Sequence, residues 1–128
     1  MATKNNPAAD MFTAKGADKV YAAIVSGLRK RVGSRLAVED PKQTCVHLVA
    51  GKDGTAYAGL HPRKGAVLLT IRTQAPLKSP RVRKAEQVSR NRCHCDVVLS
   101  SVEEVDDEVI GWLEVASGLV AKPARRAS

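Results

Sequence analysis

Aromatic side chains are scarce in this chain of 128 residues, which contains one phenylalanine, one tryptophan and two tyrosines. Proteins that bind single-stranded nucleic acid stack its bases on exposed rings. Tyr21 and Trp112 lie instead on the apolar stripes of two predicted helices. The chain therefore has hardly any rings for such a platform, and any contact with nucleic acid is expected to reach phosphates rather than bases.

Long apolar runs are also missing, and the N-terminal segment MATKNNPAAD is polar. A helix that spans a bilayer needs about 20 predominantly apolar residues. A secretory signal needs an apolar segment after a basic start. We therefore expect no membrane contact and a cytoplasmic location.

Cysteine is limited to three residues. Cys93 and Cys95 stand two apart on a predicted strand, where their Cα atoms lie about 6.6–6.8 Å apart, at the limit of disulfide geometry. Together with Cys45, His47 and His94 they are the right residue types for zinc. Structural zinc sites, however, use C-x-x-C turns, whereas C-x-C along a strand holds its side chains apart. We expect free, largely buried thiols, no metal and no cofactor.

Residues 93–99 alternate in the way that is typical of a half-buried strand. One side of this strand carries mostly apolar or thiol side chains and the other carries polar ones. The first set is Cys93, Cys95, Val97 and Leu99, and the second is His94, Asp96 and Val98.

A helix is predicted to begin directly after this strand, at Ser101. Glu104 follows Ser101 by three residues, which is the spacing of a capping box. Acidic residues cluster in the first turns, where the helix dipole favours them. The apolar stripe of this helix comprises Val105, Val109, Trp112, Leu113, Ala116 and Val120.

The upstream chain predicts a helix over about 17–32, ended by Gly33, and four short strands in series. A turn is predicted at 61–65, and the polar segment 74–92 is predicted to be a loop with one helical turn near 82–88. Consecutive strands joined by tight turns indicate an antiparallel sheet.

The predicted architecture is an α+β two-layer sandwich, in which an antiparallel sheet of about five short strands carries the N-terminal and C-terminal helices on one face. A chain of this length fits a single domain, placed at 12–121. We expect residues 1–11 to be disordered and residues 122–128 to form a flexible basic tail.

Positive charge is concentrated in one segment of a chain whose net charge is +8. Residues 61–92 contain nine Lys or Arg and one acid, whereas residues 101–114 contain six acids and no base. A basic segment of this density attracts phosphates and acidic surfaces in a salt-dependent way. The candidate residues for an anionic partner are Arg63, Lys64, Arg72, Lys78, Arg81, Arg83, Lys84, Arg90 and Arg92.

The two oppositely charged segments leave two alternatives open. They can meet across subunits and form a homo-oligomer, or they can neutralise each other within one chain. A solvated loop is the third reading of the basic segment.

A second candidate site lies on the outer side of the last strand. His94 and Asp96 share that side, and Arg72 of the preceding strand is expected to join them. These three residues could bind a small ligand or support acid-base chemistry, or they could form a cross-strand charge pattern on a solvated face. No nucleophile elbow, phosphate loop or dinucleotide fingerprint is present, so we expect no enzyme and name no catalytic residue.

Five short motifs follow one another between residues 12 and 119. They are Phe12-x-x-x-Gly16, Pro41-Lys42-x-Thr44, His61-Pro62-Arg63-Lys64, Ser79-Pro80-Arg81, and Leu99-Ser100-Ser101 followed by Asp106, Trp112, Leu113 and Ala116. In this order they resemble a small bacterial family that is catalogued only as a domain of unknown function, whose members are often automatically labelled as transport proteins. The resemblance implies a fold and brings no established activity or catalytic residue.

The function predicted from the sequence is that of a non-catalytic binding or accessory module. Its leading form uses the basic segment 61–92 for an anionic partner such as nucleic acid or an acidic protein. The alternative is a small-ligand or enzymatic site around Arg72, His94 and Asp96.

Overall fold

Six strands form one antiparallel sheet in the computed structural model, which describes residues 7–50 and 55–121. Neighbouring strands follow the order β1-β2-β3-β4-β6-β5. The strands are β1 (Val38–Pro41), β2 (Val46–Ala50), β3 (Thr55–Arg63), β4 (Ala66–Thr73), β5 (Val82–Ser89) and β6 (Arg92–Leu99). The helices are α1 (Pro7–Thr13), α2 (Asp18–Val32) and α3 (Asp107–Ala121), and short 3₁₀ turns lie at Ser34–Leu36 and Val102–Glu104.

The core lies between one face of the sheet and the helices. Alternate strand residues point into it, because successive side chains of a strand point to opposite faces. Leu69 of β4 and Leu99 of β6 are fully buried there against Leu28 of α2 and Leu113 of α3. None of the described helices lies over the other sheet face, which we call the open face. The predicted α+β class, with the helices on one face of an antiparallel sheet, is confirmed.

The sheet has one strand more than the sequence predicted. Residues 82–89, predicted to be a loop with one helical turn, form β5 and pair with β6. Seven of the eight residues of β5 are exposed. A strand that is exposed on both sides has no reason to alternate apolar and polar residues, so the period-2 signal that reveals a buried strand is missing here.

The N-terminal boundary also differs from the prediction. Residues 7–11, expected to be disordered, belong to α1, where Ala8 and Phe12 are buried in the core. The Phe12 ring stacks on that of Tyr21 in α2, with ring centroids 4.2 Å apart. Residues 1–6, 51–54 and 122–128 lie outside the described residues, and the last of these ranges is the predicted basic tail.

Helix α3 begins five residues later than the capping-box prediction placed it, with Asp106 in the capping position predicted for Ser101. The side chain of Ser101 makes no capping bond, and residues 102–104 form a 3₁₀ turn. Glu104 does reach back, but it accepts from the backbone N–H of Ser100 at 2.6 Å. The capping side chain is Asp106, whose carboxylate accepts from the backbone N–H of Val109 at 3.2 Å. Asp106 satisfies an unpaired donor of the first turn, which is the task the sequence assigned to Ser101.

The three thiols are free and buried, as expected, and strand alternation accounts for the inward position of Cys93 and Cys95. No helix in the described ranges is both long and apolar enough to cross a membrane.

Replacing Asp106 is expected to weaken the start of α3. Asp106→Ala removes the cap, so the free energy of unfolding should fall by about 1 kcal/mol at neutral pH in urea denaturation. The Arg81 guanidinium, which bonds the same carboxylate at 3.0 Å, holds the pKa of Asp106 below its usual value. The part due to charge is therefore present above about pH 4 and is lost as the pH falls through the lowered folded-state pKa.

Asp107→Ala is the matched control. The Asp107 side chain lies fully exposed one residue along the chain, and its ion pair with Arg31, at 3.3 Å, is a solvent-exposed contact that contributes little to stability. Asp106→Asn keeps a capping oxygen and removes only the charge, so its loss of stability should become smaller as the pH falls. An equal loss of stability in Asp106→Ala and Asp107→Ala, or a loss in Asp106→Asn that is the same in acid, would contradict this role of Asp106.

Candidate functional site

All three histidines of the chain line one cavity on the open face. The cavity has a volume of about 220 Å³ and receives His47, His61 and His94 from three different strands. Arg72 and Arg92 complete its polar lining. Residues Ala56, Tyr57, Ala58 and Gly59 of β3 and Thr70 of β4 provide the rest.

The strand register brings these side chains together. Arg72 of β4 lies directly opposite His94 of β6. His47 of β2 lies opposite Gly59 of β3, and Gly59 lies opposite Thr70 of β4. Residues directly opposite each other in antiparallel strands share a face, so the site is a product of register across four strands.

Gly59 forms the floor between two imidazoles. A Cβ atom at this position would lie 3.2 Å from Nε2 of His61 and 3.8 Å from Cδ2 of His47. Both rings therefore lie over the Gly59 backbone, in space that any other residue would fill. The missing side chain of Gly59 leaves room for the two rings.

The two arginines of the cavity have no counter-charge. Neither Arg72 nor Arg92 forms an ion pair within the ranges 7–50 and 55–121. Burial, and then the nearby positive charge of Arg92, lower the pKa of Arg72. Nε of Arg92 is buried and has no hydrogen-bond partner in the described part of the chain. A buried donor without an acceptor is costly, so Arg92 favours a ligand that brings an acceptor atom.

His61 is held towards its neutral form. Burial lowers its pKa first, and the positive charge of Arg63 lowers it further. The charge of Asp96 acts in the opposite direction, and His47 adds a small lowering effect. At neutral pH the imidazole is therefore expected to be uncharged and to offer one donor and one acceptor nitrogen.

Asp96 lies at the side of the cavity and is already engaged. The hydroxyl of Thr70 donates to Oδ1 of Asp96 at 2.8 Å across the β4–β6 pair. This bond fixes the carboxylate beside Thr70. Asp96 does not line the cavity itself, but it holds the hydroxyl of Thr70, which does.

The structure places the predicted trio Arg72, His94 and Asp96 on the open face, as the alternation indicated. Sequence reasoning missed two further histidines. It weighed His47 only as a zinc ligand, and it placed His61 in a turn, whereas β3 extends through Arg63. The signal for His47 was available, because it alternates with the inward residues Val46 and Leu48.

The nine basic residues of the segment 61–92 do not come together. Arg63 and Lys64 lie at the β3–β4 turn and Arg90 lies at the β5–β6 turn. These turns are at opposite ends of the sheet, since Val67 pairs with Leu99 and Thr73 with Cys93, a separation of roughly 20 Å. Arg72 and Arg92 line the cavity, Arg83 and Lys84 lie on β5, and Lys78 lies in the loop before it.

Arg81 is used within the molecule. Its guanidinium bonds Asp106 and Glu108 of the α3 segment at 3.0 Å and the backbone carbonyl of Glu104 at 2.6 Å. The bond to Asp106 comes first among the causes that raise the pKa of Arg81. At Arg81 the basic segment 61–92 and the acidic segment 101–114 therefore neutralise each other within one chain.

The described residues contain no group of three His, Cys, Asp or Glu side chains close enough to hold a metal ion. Cys93 and Cys95 point into the core while His94 points to the open face, so alternation separates the possible ligands.

A second cavity, of about 230 Å³, lies between α2 and β1 on the opposite side of the molecule from the open face. Its polar groups already satisfy each other. The hydroxyl of Tyr21 donates to Glu39, and Arg29 bonds the same carboxylate at 3.1 Å. Burial raises the pKa of Tyr21 and keeps this hydroxyl protonated. We interpret this group as a structural tie between α2 and β1.

These features define a class: a small two-layer α+β domain that leaves one sheet face open around a histidine- and arginine-lined cavity. Residues 9–120 match the model of the family described as "Domain of unknown function (DUF5655)", and the chain belongs to this family. Comparison with curated proteins and with solved structures returned no match. The family resemblance inferred from the motifs is confirmed, and it brings no activity with it.

Adding a methyl group at the floor of the cavity is expected to disturb the histidines without unfolding the domain. In Gly59→Ala the new Cβ should displace His61 and shift the titration of its imidazole, followed by NMR of the ring protons. Stability should change by less than about 1 kcal/mol, because alanine is at least as favourable as glycine in a strand.

Gly111→Ala is the matched control, since a Cβ there meets nothing within 4 Å. Unchanged His61 and His47 resonances in Gly59→Ala would show that the imidazoles do not lie over Gly59.

Proposed function

We propose that this domain binds a small anionic ligand in the open-face cavity. The observation that carries the proposal is the pair Arg72 and Arg92, which line the cavity together without a carboxylate partner among the described residues. Two neighbouring positive charges repel each other, and a bound anion would relieve this repulsion. A phosphate or carboxylate group would supply the missing charge and an acceptor for Nε of Arg92.

The size of the cavity limits the ligand. Pockets for drug-sized ligands measure about 300–1,000 Å³, and this cavity has about 220 Å³. A ligand of a few heavy atoms, or the anionic end of a larger one, fits this volume. The imidazoles of His47, His61 and His94 would provide further hydrogen bonds that select its orientation.

Binding of a macromolecular anion through residues 61–92 stays a prediction. The separation of its basic residues between two ends of the sheet, and the use of Arg81 in ion pairs, make it the less favoured reading. A flat phosphate-binding surface needs its charges on one continuous patch. Transport receives no support from any residue of the site.

Removing either cavity arginine is expected to weaken anion binding by about 10- to 100-fold, since a charge-assisted hydrogen bond contributes about 1.5–3 kcal/mol. Arg72→Gln and Arg92→Gln keep most of the side-chain volume and remove the charge. Binding of inorganic phosphate and of a small dicarboxylate is measured by NMR chemical-shift titration at low salt.

Lys64→Gln removes one charge at the far turn and serves as the control. An equal loss of affinity in Lys64→Gln would show non-specific attraction, and the absence of local shifts in the wild-type protein would overturn the proposal. A short DNA duplex, tested at two salt concentrations, separates small-anion binding from binding of nucleic acid.

Anion binding should strengthen as the pH falls. The pKa of His61 is lowered from 6.5, so the ring is neutral at pH 7 and gains a positive charge beside the anion only on acidification. The groups that face it are Arg63, Asp96 and His47. Sulfate, which keeps its charge in this range, is the probe between about pH 7.5 and about pH 5.5.

His61→Gln should reduce this pH dependence, because the substitution removes the imidazole whose pKa is lowered by burial. A pH dependence that is identical in His61→Gln and in the wild-type protein would exclude His61 from the ligand site.

A further inference from the structure

Strand β5 is an open edge of the sheet. It pairs with β6 on one side, and no other strand of the described chain pairs with it on the other. The helix contacts of the sheet lie mainly on β1 to β4, and seven of the eight residues of β5 are exposed. Val88, at 48% exposure, is one of the few large apolar side chains left in solvent, and it lies on this strand. An exposed edge of this kind is a template for another strand.

The residues of β5 are complementary to themselves when the strand is reversed. In an antiparallel pair centred on Ala85, Lys84 of one copy lies opposite Glu86 of the other, and this contact occurs twice. Lys84 and Glu86 project from the same sheet face, because they are the partners of Asp96 and His94 in β6. Neither forms an ion pair within the described chain.

We propose that β5 pairs with β5 of a second copy of this chain in that register, so that two sheets join into one. The neighbouring registers are unfavourable. A shift of two residues in one direction sets Lys84 opposite Lys84, and the same shift in the other direction sets Glu86 opposite Glu86. A shift of one residue would turn the second copy over and set residues of opposite faces against each other. The charge pattern therefore selects a second copy as the partner and selects one alignment.

The regular part of the new pairing is short. The register of β5 against β6 shifts between Val82 and Lys84 and again between Gln87 and Ser89. Such bulges twist an edge away from further partners and confine the pairing to the residues between them. The dimer is thus weak, and its population rises with protein concentration.

The dimer would place both open faces on the same side. Two antiparallel strands in one sheet are related by a twofold axis perpendicular to that sheet. The two cavities would then be about 24 Å apart, counted as five strand spacings from β4 to β4 of the second copy. This pairing does not depend on ligand binding, and a cavity that binds nothing would leave it intact.

Charge reversal on β5 tests the register. Lys84→Glu alone sets two carboxylates opposite each other in both contacts, and Glu86→Lys alone sets two ammonium groups opposite each other. Each variant should therefore be monomeric where the wild-type protein self-associates. Mixing the two variants restores both opposite-charge contacts, and a heterodimer of twice the monomer mass should form. Analytical ultracentrifugation over a concentration series measures the wild-type protein, the single variants and their mixture.

Lys78→Glu is the control, since it makes the same charge change in the exposed loop before β5 and should dimerise as the wild-type protein does. A wild-type protein that stays monomeric at the highest concentration, single variants that still dimerise, or a mixture that stays monomeric would each overturn the proposal. Unfolding midpoints of the variants distinguish a loss of dimer from a loss of fold. We expect a small decrease in Lys84→Glu, because the new carboxylate lies opposite Asp96 of β6, and the fold should be retained in every variant.

Discussion

Each central strand of this sheet buries alternate side chains against α2 and α3, and every helix of the described chain lies on that side. The hydrophobic effect therefore accounts for one face, and the side chains of the other are free to be polar. His94 and Arg72 stand on the open face for this reason, since their neighbours Cys95 and Ile71 are fully buried. The same alternation that stabilises the core presents the candidate site.

The open face gains its chemistry from register. A slip of one residue in any strand would send its polar side chains into the core, so the burial of Leu48, Leu60, Leu69 and Val97 locks the alignment of all four strands. Gly59 then lies beside His47 as a consequence of pairing between β2 and β3. The cavity is as stable as the core beneath it, because both depend on the same alignment.

Charge is divided between two tasks in this molecule. The acids at the start of α3 stabilise the helix and hold Arg81, which ties the segment before β5 to the helix layer. Arg72 and Arg92 have no such partner in the described chain, although they come from the same basic segment. Arg81 is structural because it bonds carboxylates, whereas Arg72 and Arg92 are free to bind a ligand because they bond none in the described chain. The net charge of the segment does not distinguish these two cases.

Local patterns predicted the parts of the fold that are half-buried. The alternation of residues 93–99 and the helical stripe of Val109, Leu113 and Ala116 were readable because burial on one side imposes a period. Strand β5 could not be predicted, since a strand that is exposed on both sides has no periodic apolar pattern. The start of α3 was misplaced because Ser101 and Asp106 are both good capping residues, and only the 3₁₀ turn at 102–104 chooses between them.

Local sequence patterns were enough to predict the fold class, the inward position of Cys93 and Cys95, the outward position of His94 and the family, since each depends on neighbours within a few residues or on motif order. The folded sheet was needed to show that His47 and His61 join His94 and that Arg81 and Arg72 have different surroundings. These residues are far apart in the chain, and their proximity follows from the packing of the whole sheet against its helices. Strand pairing brings the outward side chains of separate strands together into one site, and a short sequence segment does not show which strand it will pair with or in which register.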